Sequence, residues 1–418
     1  MSFAEYKFIK ESMAHRYKGF DMMNIMSFDI ICRTYGNDIS LFRDFVASFL
    51  CKKINLPKKK SHDVLFSMGN YGRRKDYYEI LEFARSSVAG DYIDISDAKW
   101  GISINIKNFF TSLSSVFKLK SSLSVTGKLS IAFMLSHYKN TIDYIERQAK
   151  EVEYNKFCSF CSAHAYEAIL DEFFRLKKIP TYTLQHGLYF LFKKPPIDII
   201  AYENMISDKL LCWGQFTKDE FVKFGIPRDR IDIVGYPRSI KDLKPYRIDD
   251  QKLSLLFLCA RSKFDQTNKD IMKLCHEFIK LYPGTVKLTV KTHPSLDQLQ
   301  YKQISQSYGF TFSEGQTIQS LITNGGYDFA IAYNSTAYVD SYLNNLIALH
   351  YQDAERENDA EVLDDKFSNA DELMTKINAF IRLADKNEAW IDISNRLSYL
   401  VGYGINRYTE ILDAKKNN

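Results

Sequence analysis

Two histidines stand where the sequence turns from apolar to polar. Gln185-His186-Gly187 follows IPTYTL, and Thr292-His293-Pro294-Ser295 follows the run VKLTVK. An imidazole titrates near neutral pH, so His186 could take a proton from an attacking hydroxyl. Gly187 beside it lets the backbone turn sharply and leaves room for a substrate, and Gln185 stands on the other side of the ring in sequence. Pro294 stops the second strand and fixes the loop, so that His293 could donate to a phosphate oxygen. Ser295 reads as the cap of the helix beginning SLDQLQ, and Lys291 adds positive charge. Each has a plainer reading: His186 as a histidine that holds a turn, His293 as part of a strand terminator.

Three further clusters share this setting. Arg238 in GYPRS and Arg261 with Ser262 in ARSKF put guanidinium groups where a phosphate or carboxylate would pair with them. Asn334-Ser335-Thr336 precedes a helix, where hydroxyls and unpaired backbone N–H groups make a phosphate cradle without a glycine-rich loop. Such junctions also serve as ordinary caps. Five polar clusters at five strand ends say more than any one of them.

The elements that must position these clusters follow from periodicity. Residues 1–60 read as a helical extension. DVLFSMGNYGRRKDYYEILEFARSS gives a strand, a glycine turn and a helix, and YIDIS a second strand. Residues 108–150 read as helical and basic, either an amphipathic membrane-facing surface or a core helix. Strands and helices alternate from 160 to 237, with a Thr cap expected on TKDEFVKFG. After the polar stretch 245–252 a second alternating series begins at LSLLFLCA. The fold class is therefore α/β, with two doubly wound Rossmann-like domains facing a central cleft, and ligands bind such sheets at the carboxyl ends of the strands. The expected domains are 1–245 and 252–395, followed by 396–418.

Composition sets outer bounds. The 418 residues are 45% hydrophobic and 26% charged, as in soluble globular proteins. Residues 1–250 carry 38 Lys/Arg against 30 Asp/Glu, and residues 251–418 carry 18 against 21. The basic half suggests an anionic partner such as a phospholipid surface or a phosphorylated carrier, or simply a solvated surface. Lys and Arg do not cluster with aromatics as in a nucleic-acid module. The seven cysteines are scattered; Cys158 and Cys161 have no second pair at zinc spacing and read as core thiols in a reducing compartment. No apolar run reaches membrane-spanning length, and the N-terminus lacks a signal-peptide core. A cytoplasmic protein, resting on the inner face of the membrane or free of it, is expected.

The order HG, GYPR, HP and then a Ser/Thr pair resembles the GT-B transferases of bacterial surface-polymer synthesis. The similarity covers roughly residues 160–410. It is closest to the CDP-glycerol glycerophosphotransferase (teichoic acid polymerase-like) family, with the HP-motif capsule and sialyl-type transferases beyond. The resemblance implies 1–245 as the acceptor-side domain, 252–395 as the nucleotide-donor domain and 396–418 as a C-terminal helix crossing back. It implies His186 as general base, with Gln185 and Gly187 on the acceptor side, and His293 as the ligand of the leaving nucleotide phosphate. Ser335 and Thr336 would hold the same phosphate, with Arg238 at the hinge near the donor. The family's GYPR motif usually continues with Asn-Asp, where this chain has Ser239-Ile240. The implied reaction is inverting, metal-independent sugar transfer. It runs from a CMP-, CDP- or UDP-linked donor, a substrate rather than a cofactor, to a hydroxyl of a cell-surface glycan or its lipid-linked precursor. No metal site and no separate cofactor are expected. The alternatives are CDP-polyol phosphotransfer, nucleotide-sugar epimerisation and non-catalytic glycan binding.

Overall fold

The computed structural model describes residues 3–12, 15–35, 39–59, 62–71, 74–119, 123–149, 152–189, 204–238, 241–353 and 360–413. Ser239, Ile240 and the aromatic stretch from Phe190 lie outside these residues.

Two short antiparallel pairs and two six-stranded parallel sheets make up the strands. The first pair is β1 (Arg16–Tyr17) with β2 (Phe20–Asp21). The second joins β3 (Leu50–Lys53) to β6 (Lys99–Ile102). The N-terminal sheet contains β4 (Val64–Met68), β5 (Asp91–Asp94), β7 (Lys156–Ser159), β8 (Thr181–Leu184), β9 (Lys209–Cys212) and β10 (Ile231–Ile233), in the order β10-β9-β8-β7-β4-β5. The C-terminal sheet contains β11 (Leu253–Leu258), β12 (Val286–Lys291), β13 (Thr311–Phe312), β14 (Phe329–Ala332), β15 (Ala348–Tyr351) and β16 (Lys366–Phe367), in the order β13-β12-β11-β14-β15-β16. All neighbours within both sheets run parallel. Continuous runs such as VLFSM and LSLLFL suit strands covered by helices on both faces. All five residues of β4 are buried, and so are five of the six in β11.

Each sheet reverses its winding once. In the N-terminal sheet this happens between β4 and β7, in the C-terminal sheet between β11 and β14. Crevices at the carboxyl ends of such strand pairs are the usual ligand sites of open α/β sheets. Here the two sets of strand ends meet: the Leu188 N–H, just beyond β8, donates to Thr336 Oγ1, just beyond β14, at 3.3 Å.

The linker docks on the second domain. The Lys241 N–H donates to the Leu343 carbonyl at 3.1 Å and the Tyr246 N–H to that of Ala384 at 2.9 Å. The helix Asn387–Val401 ends on Gly402, whose φ of 66° is the left-handed cap that glycine adopts without strain. The chain then returns to the first domain. The Arg407 N–H donates to the Val234 carbonyl at 3.0 Å, and the Tyr408 hydroxyl to that of Gly235 at 3.3 Å. The closing helix Tyr408–Asp413 packs on the helix Lys75–Ser87.

The N-terminal extension departs from the helical expectation. It holds the helices Phe3–Ser12, Ser27–Tyr35 and Leu41–Ala47, but also β1, β2 and β3. The expected helical stretch 108–150 divides in two. Val125–Gln148 is a core helix, with Ile131, Leu135, Ile142 and Ile145 fully buried. Ile106–Phe117 lies at the surface beside it. No described helix is long and apolar enough to cross a membrane.

Candidate active site in the interdomain cleft

His186 follows β8, and its ring lies between two aromatic rings of the N-terminal domain. The centroid of Phe160 is 5.1 Å away and that of Tyr77 is 5.6 Å away. Packing of this kind fixes the plane of an imidazole. His164 is a close electrostatic neighbour. Burial, with a smaller contribution from His186, pushes the His164 pKa down to about 4, so its ring is neutral near pH 7.

The residues flanking His186 take different parts. Gln185, expected on the acceptor side, is fully buried and works as a bracket. Its Nε2 donates to the Gly187 carbonyl at 2.9 Å, and its Oε1 accepts from the Trp213 N–H at 2.7 Å. It therefore holds the turn that carries His186 and cannot meet an acceptor. Gly187 is in the cleft: a Cβ placed there would stand 3.8 Å from Thr336 Oγ1.

The cleft carries a group of cations. Arg238 enters it from the segment after β10. Its Nη1 contacts the carboxylate of Asp340, on the C-terminal helix Ala337–Leu343, at 3.2 and 3.3 Å. Burial opposes its charge, but Tyr236 and Asp340 outweigh that and hold the guanidinium above its ordinary pKa. Tyr236 also donates its hydroxyl to Asp340. Arg238 Nε is buried without a hydrogen-bond partner among the described residues. Arg74, after β4, stacks on Tyr77 with its guanidinium carbon 3.9 Å from the ring centroid, and it pairs with Asp76. Arg238 and Arg74 repel one another, which places both in one field.

His293 faces that field from the other domain. Burial first, then Arg74, pushes its pKa down to about 4. Its Nδ1 accepts from the Ser295 N–H at 3.1 Å, so the proton of the neutral ring sits on Nε2 as a donor. Ser295 Oγ lies 2.8 Å from the same Nδ1 and accepts from the Ser262 N–H at 3.0 Å. The expected helix cap is therefore not Ser295. The helix Gln298–Ser307 is capped by Asp297, whose carboxylate accepts from Leu299 and Gln300. Likewise Thr217 caps nothing: it is buried inside the helix Gln215–Lys223, whose cap position is Gly214. Arg261 lies close enough to affect both His293 and Tyr77. Lys291, at the end of β12, is half-buried, and burial lowers its pKa. Ser335 Oγ accepts from the Ala337 N–H at 3.2 Å, and Thr336 takes the cap position of a seven-residue helix.

The structure thus gathers His186, Gly187, Arg238, Arg261, His293 and Thr336 around one cleft, links Ser262 to it through Ser295, and sets Gln185 behind it. Arg74, Asp76, Tyr77 and Asp340 are the residues that sequence reasoning missed. Arg74 and its neighbours lie in GNYGRRKDYY, which directly follows a strand. A sixth strand-end cluster was thus legible there.

A buried carboxylate underlies the first domain's crevice. Glu167 accepts from the Phe160 N–H and Ser67 Oγ, both at 2.8 Å, and from the Tyr71 hydroxyl. Burial pushes its pKa up to about 7. Cys158 and Cys161 are buried nearby, and burial raises both thiols. A cavity of about 720 Å³ lies elsewhere, against Lys241, Lys244, Ile322 and Tyr327, and none of the cleft residues lines it.

No protein-family model and no curated protein sequence matches this chain. Solved structures do. Anabaena HepE in complex with UDP-glucose superposes with a TM-score of 0.51 at 11% identity, over 84% of this chain and all of that one. The lipopolysaccharide outer core galactosyltransferase WaaB gives 0.49 at 12% identity, over 84% of this chain and 99% of that one. UDP-GlcNAc 2-epimerase from Neisseria meningitidis, bound to UDP-GlcNAc, gives 0.47 at 14%, over 84% and 98%. Together with the two facing parallel sheets, the HepE likeness shows the GT-B fold.

Proposed function

We propose that this GT-B chain is an inverting, metal-independent glycosyltransferase. It moves a sugar from a nucleotide-activated donor to a hydroxyl of a cell-surface polysaccharide or its lipid-linked precursor. One observation carries the reading. His186 packs on Tyr77, Arg74 stacks on that same ring, and Arg74 with Arg261 lies close enough to act on the neutral His293 of the other domain. His186 takes the acceptor's proton as its oxygen forms the new bond to the sugar's anomeric carbon. The bond from that carbon to the donor phosphate breaks, and the nucleotide leaves with the electron pair. Arg238, Arg261 and the His293 Nε2–H meet the charge that develops on the phosphate, with Thr336 and the backbone before Ala337 beside them. These cations do the work a bound metal does in other transferases.

HepE was solved with UDP-glucose, which supports a nucleotide-sugar donor of this general kind. A CDP-polyol donor would meet the same phosphate groups, and the HG-GYPR-HP order favours keeping it in the test. The purified chain is melted with CMP, CDP, UDP, GDP and their sugar and polyol conjugates. A ligand that binds only the folded state raises the melting temperature. A shift with one nucleotide, reduced by His293→Ala, supports the donor site and fixes the base. A transfer assay with that base's donors then decides sugar against polyol phosphate. If no nucleotide shifts the melt at millimolar concentration, the proposal fails in favour of a non-catalytic glycan binder.

A further inference from the structure

Two surface helices are inside out. In Ile106–Phe117 the buried side chains are Asn108, Ser112 and Val116, while Ile106, Phe110 and Phe117 are exposed. In Leu41–Ala47 the buried residue is Asp44, while Phe42, Phe45 and Val46 are exposed. A water-facing helix normally shows the reverse arrangement. Asp44 and Asn108 are satisfied inside: Ser130 donates to Asp44, and Asn108 Nδ2 donates to Asn140 at 2.9 Å. The phase of each helix is therefore fixed by buried polar partners, and the apolar side chains outside are a committed arrangement.

The two helices form one face. Both pack on the core helix Val125–Gln148, and the rings of Phe45, Phe49 and Phe109 meet at their seam. The last residue of β6 adds Ile102, 79% exposed, and the segment after it adds Ile104. Phe42 is 82% exposed and Phe110 is 62% exposed. Of the eighteen large hydrophobic side chains exposed among the described residues, nine lie within 41–47 and 100–118. Contiguous patches of this kind mark interaction sites.

Charge selects the partner. Residues 39–53 and 99–118 carry the exposed cations Arg43, Lys53, Lys99, Lys107 and Lys118, while Lys52 and the only acid, Asp44, are buried. Lys107 and Lys118 border the stripe Ile106–Phe110–Phe117 on its own helix. Apolar tips ringed by cations match an anionic lipid surface, which takes the side chains into its acyl boundary and the cations at its headgroups. Two copies meeting through this face would bring like charges together. We propose that the face made by 41–47 and 100–118 docks the protein on anionic lipid. The expectation for 108–150 is thereby narrowed: residues 125–148 are core, and 41–47 join the surface. The inference does not depend on the transfer reaction, so either can fail alone.

The test uses the full chain with vesicles of phosphatidylcholine, with and without phosphatidylglycerol, followed by sedimentation. Binding is expected to the mixed vesicles and to weaken with added salt. Phe42→Ser with Phe110→Ser should lower partitioning by roughly tenfold or more on both vesicle types. Lys107→Glu with Lys118→Glu should lower it by on the order of tenfold on the anionic vesicles alone. These positions are exposed, so melting temperature and nucleotide shifts should stay as in the parent. If the serine pair unfolds the chain, the charge-reversal pair carries the test. The proposal is overturned if the parent stays in the supernatant with anionic vesicles, or if the variants sediment as the parent does. It is also overturned if light scattering shows a dimer that the serine pair breaks, since a second copy is then the occupant.

Discussion

Arg238, after the last strand of the first domain, and Asp340, on a helix of the second, form an ion pair across the cleft at 3.2 Å. Tyr236 donates to the same carboxylate, so one acid gathers two groups of the opposite domain. Asp340→Asn leaves the guanidinium without its counter-charge. About 2 kcal/mol of stability should be lost, the usual scale for a hydrogen bond to a charged group. Urea denaturation measures it, and an unchanged midpoint would show the pair to be incidental. Arg238→Ala should instead weaken nucleotide binding more than it weakens the fold, as read from the thermal shift at saturating ligand.

His186→Ala should cut transfer by roughly a hundredfold or more, the contribution expected of a positioned general base. Donor affinity should change little, because the ring lies against Tyr77 and Phe160 of the N-terminal domain. A variant that keeps near-parental turnover removes the base assignment.

His293 sets a pH dependence whose sign can be worked out. Its folded pKa is about 4, below the ordinary 6.5 of a histidine. The unfolded chain therefore binds the proton first as pH falls. The stability tied to the neutral ring is complete above pH 6.5 and declines as pH drops toward 4. His293→Gln should flatten that part of the acid limb in melts taken across the range. The same shift means that nucleotide affinity should show no His293 titration between pH 6 and 7.5. A loss of affinity centred near 6.5 that disappears in His293→Gln would mean the ring binds phosphate as a cation.

Gly235 has a φ of 94°, and a Cβ there would lie 1.8 Å from the Ile405 carbonyl oxygen. Both the left-handed backbone and the clash oppose any side chain. Gly235→Ala should cost about 3 kcal/mol or more. It should also free the returning segment, so that limited proteolysis cuts near residue 405 before the domains unfold. A variant as stable and as protease-resistant as the parent would show that the segment is held elsewhere.

The alternating architecture was legible because parallel strands buried on both faces read as apolar runs, and the polar residues that end them stand out. That rule located His186, His293, Arg238 and Thr336. It missed Asp340, which sits inside AYVDSYL and looks like any polar residue of a helix until the other domain is set against it. It misassigned Ser295, because Ser295 and Asp297 are both fair caps two residues apart. Asp297 prevails since the Ser295 hydroxyl is already engaged by Ser262 and His293. Gln185 looked accessible beside His186, yet Trp213, which binds it, comes from a different strand. Periodicity also gives the phase of a helix without saying which face is inside. That is why the inverted helices 41–47 and 106–117 could not be read in advance.

The segment 402–413 also bears on the order in which the protein is made. Gly235 is sealed by Tyr408, a residue synthesised 173 positions later, with the whole second domain in between. The first domain thus leaves the ribosome with an open flank and must wait for its closing helix. During that interval the flank of the first domain that the segment covers stays exposed to solvent. A lesion at Tyr408 would accordingly be felt at the start of the chain, as instability of the earlier domain, while the later domain assembles normally.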